Sequence, residues 1–271
     1  MSTTTFTPSG IAYVRQGPTG RLPVVLLHAG IADRRMWEPV WQPLTAQHDV
    51  VRLDLRGFGD SSTRGRGPVD HVADVVEVLD HLDIPRCHLV GASFGAGVAV
   101  ETALTHPARV RSLLLCPPGG SLLAELTPSL RSFFVAENEA LARGDIDAAV
   151  EANIVTWVVG AGRAESALDP SLPAAVRAMQ RRAFDIADGW GEAGTVELEP
   201  PALERLPQLT APVLVLVGGR DLDTIRDAAR RVDAGAPGSR RVDWDDVAHL
   251  PSMERPGDFI ELLLEWVDAS T

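Results

Sequence analysis

The chain has 271 residues, of which 45% are hydrophobic and 23% charged, and its formal net charge is −12 at pH 7. This length suits one large soluble domain with an insertion, and the composition is ordinary for a globular protein. The negative charge argues against a nucleic-acid partner, and without a long apolar run or a signal-like N-terminus we expect a cytoplasmic protein with no membrane contact.

Short apolar runs recur along the chain, each bounded by turn residues. They cover residues 22–27, 50–55, 87–90, 110–115 and 212–217, with a weaker run at 240–244. The runs are rich in Val and Leu and do not alternate with polar residues, which is typical of strands buried on both faces of a parallel sheet. Helical patterns lie among them at residues 69–82, 94–105 and 256–266. This alternation predicts an α/β fold with a mostly parallel sheet.

The alternation stops between about residues 119 and 200. This segment has helical patterns at residues 130–143, 145–158 and 174–187 and no convincing strand. We therefore predict a core of residues 1–118 and 200–271 and a helical cap of residues 119–199, although the helices would also suit a simple extension of the core. Aromatic residues of this segment suggest a mainly apolar pocket: Phe133, Phe134, Trp157, Phe184 and Trp190.

The main chemical signal is Gly91-Ala92-Ser93-Phe94-Gly95, which follows a predicted strand and precedes a predicted helix. In this G-x-S-x-G pattern a serine nucleophile occupies a sharp turn, and the glycines let the backbone approach itself closely. The amide of Phe94, at the positive end of the helix, would then donate to an oxyanion. The alternative is a glycine-rich turn with a capping serine. The strand-turn-helix context favours Ser93 as the nucleophile.

A nucleophilic serine needs a base and an orienting acid, and two late loops offer them. His249 follows the last predicted strand and is the only histidine in the C-terminal half of the chain. Asp221 lies closest to the end of the strand before it, and we favour it as the acid. Asp223 and Asp227 remain alternatives. The preceding strand is followed by no carboxylate, which removes the other common position for the acid.

The loop after the first apolar run supplies a candidate for the second oxyanion donor. Gly30 would let this loop bend toward Ser93 and aim an amide at the same oxygen. We interpret His28 as a structural, hydrogen-bonded histidine. The Gln180-Arg181-Arg182 cluster would suit a substrate carboxylate, but a solvated helix face is the preferred interpretation.

The chain lacks the residues that several other kinds of catalytic chemistry require. The chain has no lysine, which excludes a Schiff base and the lysine of a phosphate-binding loop. No G-x-G-x-x-G, C-x-x-C or H-E-x-x-H pattern occurs, so we expect no cofactor and no metal. Cys87 and Cys116 are interpreted as small buried hydrophobes. The expected partner is a small-molecule substrate, and the sequence gives no oligomeric state.

Taken together, these segments resemble the α/β-hydrolase superfamily. Residues 26–30 (LLHAG) are similar to its LLHG segment, with Ala29 where glycine is usual, and residues 54–61 are similar to its D-x-R-G-x-G-x-S turn. The serine turn, the G-x-x-D at residues 218–221 and the Ala248-His249 pair complete the resemblance. It implies an eight-stranded, mostly parallel sheet with a helical cap, the Ser93-His249-Asp221 triad, and backbone donors at Gly30 and Phe94.

The resemblance also bears on the reaction. Met36-Trp37 is similar to an enol-lactonase-like branch, and Ser93 in place of an aspartate points to acyl transfer. We expect a serine hydrolase that cleaves a small, mainly apolar carboxylic ester or lactone through an acyl-enzyme. One alternative is a lyase or carbon–carbon bond hydrolase with the same triad. Another is a small-ligand-binding protein that no longer catalyses a reaction.

Overall fold

The computed structural model describes residues 3–191 and 193–270. The strands within them are β1 (Thr5–Phe6), β2 (Ala12–Gln16), β3 (Val24–Leu27), β4 (Val50–Leu53), β5 (Cys87–Ser93), β6 (Val110–Pro118), β7 (Val213–Gly218) and β8 (Arg240–Trp244). They form one sheet in the order β1-β2-β4-β3-β5-β6-β7-β8. Strand β2 pairs antiparallel with both β1 and β4, and the other five pairs are parallel. The predicted eight-stranded, mostly parallel α/β sheet is confirmed.

Helices flank this sheet. In chain order they are α1 (Glu38–Thr45), α2 (His71–His81), α3 (Phe94–Thr105), α4 (Pro128–Ala142), α5 (Ile146–Asn153), α6 (Ser171–Trp190), α7 (Asp223–Gly235), α8 (Pro251–Glu254) and α9 (Pro256–Ala269). The sequence patterns did not predict α1, α7 or the two antiparallel strands. Helix α7 is largely polar and buries only a narrow stripe, which includes Ile225, Ala229 and Val232, so the apolar signal along its sequence is weak.

The central strands are buried on both faces, as the continuous apolar runs predicted. All four residues of β3 and all six of β7 are buried, whereas the edge strand β8 is largely exposed. Met36 and Trp37 also lie in the core, where the Trp37 ring packs against Phe259 at a centroid distance of 6.0 Å. Their role in this fold is therefore packing. Cys87 and Cys116 are fully buried, and burial raises the pKa of Cys87 to about 12.

Between β6 and β7 the chain leaves the sheet and forms α4, α5 and α6, called the inserted helices below. Residues 154–159 continue α5 as a wider π-helical turn. The segment after α6 returns along the core, where Val196 N–H donates to Val69 O at 2.8 Å. On α6, Arg182 donates to Gly59 O at 2.9 Å and to Asp60 Oδ1 at 2.5 Å. These contacts hold the inserted helices above the carboxyl ends of the central strands.

No helix in the described part of the chain is both long enough and apolar enough to cross a membrane.

Candidate active site

Ser93 ends β5 in a strained conformation. Its φ is 51° and its ψ is −112°, values that residues other than glycine rarely adopt. A Cβ atom on Gly91 would lie 2.4 Å from Gly95 O, and one on Gly95 would lie 2.5 Å from His28 O. Only glycine fits at either position. The residue types of the G-x-S-x-G pattern thus follow from the close approach of β5, α3 and the loop after β3.

A second glycine segment faces Ser93 from the end of β6. A Cβ on Gly119 would lie 2.9 Å from both the Cα and the Oγ of Ser93. A side chain there would collide with the candidate nucleophile. In the sequence, residues 119–120 were notable only because they include no carboxylate. The Gly-Gly pair directly after a strand was the available signal for this close approach.

His249 and Asp221 form a buried hydrogen-bonded pair. The His249 Nδ1 to Asp221 Oδ2 distance is 2.7 Å, and the two side chains are 2% and 0% exposed. An ionised carboxylate only accepts hydrogen bonds, so Nδ1 carries the proton of the neutral ring and Nε2 is left as an acceptor. The second carboxylate oxygen, Oδ1, accepts from Leu222 N–H at 2.8 Å. This arrangement fixes both the tautomer and the direction of the imidazole.

The other two candidate acids point elsewhere. Asp223 accepts hydrogen bonds from Thr127 at 2.9 Å and from Ser129 at 2.5 Å. Asp227 pairs with two arginines on the exposed face of α7. Of the three carboxylates that the sequence left open, the structure brings Asp221 against His249.

The loop that carries His249 is fixed by contacts that the sequence analysis did not identify. Glu254 accepts from Ala248 N–H at 2.8 Å, and its other oxygen pairs with Arg163 at 2.6 Å. Trp157 O accepts from His249 N–H at 3.2 Å, and the two rings lie 4.6 Å apart. Because Arg163 and Trp157 belong to the stretch between β6 and β7, that stretch directly supports the imidazole.

The two candidate oxyanion donors lie side by side. A Cβ on Gly30 would be 3.5 Å from Phe94 Cβ, and Phe94 is the first residue of α3. Gly95 N–H donates to His28 O at 3.2 Å, which ties the loop after β3 to the start of that helix. The free amides of a first helical turn form a positive end that suits an anionic oxygen.

His28 keeps this loop in place. Its Nδ1 lies 2.8 Å from Ala29 O, and its Nε2 accepts from Leu55 N–H at 2.9 Å. Both ring nitrogens are thus engaged with backbone atoms. Complete burial lowers the pKa of His28, which keeps the ring neutral. Its geometry is that of a structural histidine.

Ser93 opens into a cavity of about 590 Å³. Gly30 and Phe94 line it at the base. All five aromatic residues that the sequence analysis singled out line its walls, namely Phe133, Phe134, Trp157, Phe184 and Trp190. Polar side chains reach it as well: Arg56, His71, Glu137, Asn153 and Gln180. The cavity is therefore largely apolar with a few polar groups, a pattern typical of small-molecule sites.

The three residues of the Gln180-Arg181-Arg182 cluster have separate environments. Arg181 forms an ion pair with Asp147 at the surface, and Arg182 holds the loop at Gly59. Only Gln180 lines the cavity. The arrangement offers no pair of arginines to a substrate carboxylate inside the cavity.

His71 is a cavity residue to which the sequence analysis assigned no role. It is buried, its ring packs edge-on against Phe94 at 5.0 Å, and its Nδ1 has no hydrogen-bond partner among the described residues. Desolvation lowers its pKa to about 4. The neutral ring is thus the form present in the folded protein near neutral pH.

This burial predicts a pH-dependent stability contribution. Below about pH 6.5 the unfolded chain binds a proton at His71, whereas the folded protein does so only near pH 4. The folded state therefore loses stability as the pH falls through that window. Between about pH 7 and pH 5, the free energy of unfolding should fall by about 2 kcal/mol less in His71→Gln than in the parent. Urea denaturation at both pH values measures this, with the exposed His81→Gln as control. Equal falls in all three proteins would contradict the assignment.

Metal ligation is not evident in the described ranges, 3–191 and 193–270. No group of three His, Cys, Asp or Glu side chains there is placed to hold an ion.

Similarity to known proteins identifies the family of this chain. The profile of the alpha/beta hydrolase family matches residues 24–262. Pimeloyl-[acyl-carrier protein] methyl ester esterase from Aeromonas hydrophila is 27% identical over 261 residues, which is 93% of this chain and 96% of that esterase.

Two solved structures are similar over nearly the whole chain. One is Est816, described as an N-acyl homoserine lactone degrading enzyme, with 27% identity, a TM-score of 0.74 and coverage of 94% of this chain and 96% of its own. The other is the enol-lactonase from Burkholderia xenovorans, with 21% identity, a TM-score of 0.79 and coverage of 98% and 100%. At 21% identity, the similarity to the enol-lactonase shows a shared fold. With the family profile spanning most of the sequence, the predicted fold and hydrolase class are confirmed, and the chain belongs to the alpha/beta hydrolase family.

Proposed function

We propose that this protein hydrolyses a small carboxylic ester or lactone through an acyl-enzyme on Ser93. The observation that carries the proposal is the buried 2.7 Å contact between His249 and Asp221, at the same edge of the sheet where Ser93 ends β5. The carboxyl ends of parallel strands meet at one edge, so the loops after β5, β7 and β8 converge there. The esterase and lactonase relatives support the same reaction class.

In this mechanism His249 Nε2 takes the proton of Ser93 Oγ as the oxygen attacks the carbonyl carbon. Asp221 keeps Nδ1 protonated and stabilises the imidazolium that forms. The amides of Gly30 and Phe94 donate to the oxyanion. The imidazolium then protonates the leaving alkoxide, and the ester bond breaks. In the second half, His249 activates a water molecule that hydrolyses the acyl-enzyme and releases the acid.

The inserted helices have the role of a cap in this proposal. They supply most of the aromatic walls of the cavity, and Trp157 packs directly on the His249 ring. A wall of this kind excludes water and strengthens the electrostatic interactions at the reacting carbonyl. The cap would therefore select the substrate, while the core supplies the reacting groups and the oxyanion donors.

The proposal predicts a single activated serine. A fluorophosphonate probe should label the folded protein stoichiometrically, and peptide mapping by mass spectrometry should place the label on Ser93. Ser61 is a matched control because it is buried and its hydroxyl donates to Asp54 O at 2.7 Å. Label on Ser61 or elsewhere, or none on a demonstrably folded sample, would contradict the mechanism. The binding-protein alternative would then lead.

A further inference from the structure

Glu137 places a carboxylate without a cationic partner in the wall of the cavity. It lies on α4 and is half-buried, and within the described ranges it accepts one hydrogen bond, from Asn153 Nδ2 at 2.6 Å. No described arginine acts on it, and the chain has no lysine. Burial raises the pKa of this carboxyl group, because a charge removed from water is costly unless it is paired. The described protein thus supplies no counterion for it.

Asn153 holds that carboxylate in place and adds a second acceptor to the cavity wall. The side chain, on α5, is 1% exposed, and its amide nitrogen donates to Glu137 Oε1 and, at 3.0 Å, to Ala149 O. Both hydrogens of the nitrogen are used, which fixes the orientation of the amide. Its Oδ1 accepts no hydrogen bond from a described residue and keeps accessible surface, and the same is true of Glu137 Oε2. Two open acceptors therefore lie together in this wall.

Aromatic rings border the carboxylate on the same helices. Phe133 and Phe134 precede Glu137 by about one helical turn on α4, so their side chains are its neighbours on the surface of that helix. The Phe133 ring lies 5.2 Å from the Trp157 ring, and Trp157 in turn packs on His249. The face of an aromatic ring attracts a cation, and tryptophan does so most strongly. A carboxylate next to such rings is suited to an ammonium group.

Arg56 also lines the cavity, but its guanidinium is engaged elsewhere. It donates to Asp74 Oδ2 at 2.9 Å, to Ser9 Oγ at 2.8 Å and to Thr63 O at 3.3 Å. These contacts compensate its charge and leave none of its donors for Glu137. Among the described residues that line the cavity, the uncompensated charge is therefore negative, and it would attract a cationic ligand and repel an anionic one.

We propose that the substrate carries an ammonium group at the end that contacts the inserted helices, and that Glu137 pairs with it beside the aromatic rings. This inference rests on the proposed ester or lactone hydrolysis at Ser93. Asn153, which holds the carboxylate, lies about one helical turn before Trp157, whose ring packs on His249. The cation therefore belongs to the end of the substrate remote from the reacting carbonyl. Glu137 is then a specificity-determining residue, and the substrate class becomes an amino or quaternary-ammonium ester or lactone.

The experiment compares esters that differ in charge at the remote end. Methyl esters of straight-chain acids with four, six and eight carbons end in trimethylammonium or its neutral isostere tert-butyl, and a second set ends in ammonium or hydroxyl. Butyrylcholine and neohexyl butanoate make the comparison on the alcohol side. In at least one pair the cationic ester should exceed its neutral partner about tenfold in kcat/KM. Equal rates, or a preference for the neutral ester, in every pair would overturn the inference.

Variants assign the preference to Glu137. Glu137→Gln removes the charge at the same side-chain length and keeps an acceptor for Asn153, so the cationic-over-neutral ratio of kcat/KM should fall about fivefold, with the rings retained. Glu139→Gln is the matched control, because it removes the same charge from the same helix at a side chain that is 66% exposed and does not line the cavity. Its ratio should equal that of the parent. An unchanged ratio in Glu137→Gln, or an equal fall in both variants, would reject the assignment.

A binding measurement separates this inference from the proposed function. Calorimetry on the Ser93→Ala protein, which retains the cavity, compares butyrylcholine with neohexyl butanoate, and each other charge pair, without turnover. Tighter binding of a cationic ester that is lost when Glu137→Gln is added supports the inference even where the parent hydrolyses no ester, in which case only the proposed reaction fails. Equal or unmeasurable affinity for both members of every pair rejects the ammonium site, whether or not the esters are hydrolysed.

Discussion

Replacement of Ser93 by alanine should reduce kcat for a cleaved ester by about 10⁴–10⁶-fold while leaving the protein folded. The serine oxygen is the atom to which the acyl group is transferred, so its loss removes the covalent route entirely. Residual turnover would come from water positioned by His249 and the oxyanion amides. The measurement is the hydrolysis rate of a substrate found by screening simple esters and lactones, with parent and variant at equal concentration.

The melting temperature shows whether Ser93→Ala loses activity because the nucleophile is gone or because the protein unfolds. Ser93 has φ 51° in the folded protein, and alanine tolerates that conformation no better than serine does. The melting temperature of Ser93→Ala should therefore stay close to that of the parent. Ser61→Ala supplies the comparison, since Ser61 donates to Asp54 O and accepts from Ala12 N–H, both outside the cavity. Substantial turnover by folded Ser93→Ala would reject the nucleophile.

The second large effect is expected at Asp221. Asp221→Asn should lower kcat by about 10³–10⁴-fold, because an amide in place of the carboxylate can stabilise the wrong tautomer of His249 and cannot balance the charge of the imidazolium. Asp221 is 2.7 Å from His249 Nδ1, and no other carboxylate among the described residues is hydrogen-bonded to that ring. Rates for parent and variant, measured with the substrate used for Ser93→Ala, give the ratio directly.

Asp223→Asn is the matched control for this change. The same substitution two residues away replaces the charged acceptor of Thr127 and Ser129 with a neutral amide oxygen and leaves His249 untouched. Its cost should be in stability, at about 1 kcal/mol, with only a small change in kcat. If Asp223→Asn lost activity as severely as Asp221→Asn, or Asp221→Asn stayed fully active, the acid would be misassigned.

Local interactions account for the parts of the molecule that could be predicted. The serine turn is recognisable within five residues of sequence, and the steric demand at Gly91 arises where strand and helix meet, whereas that at Gly95 comes from His28 O in the loop after β3. The central strands are recognisable since burial on both faces requires apolar residues throughout. In contrast, α7 is polar outside its buried stripe and β2 lies near the sheet edge, so neither matches the continuous apolar runs of the central strands.

The choice of acid depended on tertiary structure. Asp221 and Asp223 are two residues apart on one loop, and spacing alone cannot say which faces the imidazole. The decision comes from the packing of the loops after β7 and β8. A Cβ on Gly218 would lie 2.2 Å from Ala248 O, so these loops are in direct contact there. That contact brings Asp221 to His249.

The sequence by itself determined the α/β sheet, the strained serine at the end of β5, and the residue types able to serve as its base and acid. These features depend on continuous apolar runs and on a short residue pattern between a strand and a helix. Only the tertiary structure decided which groups share the cavity. The contacts of Trp157 with His249 and of Gly119 with Ser93 involve segments far apart in the chain. Their contacts depend on how the inserted helices pack on the core, and no local pattern specifies that packing.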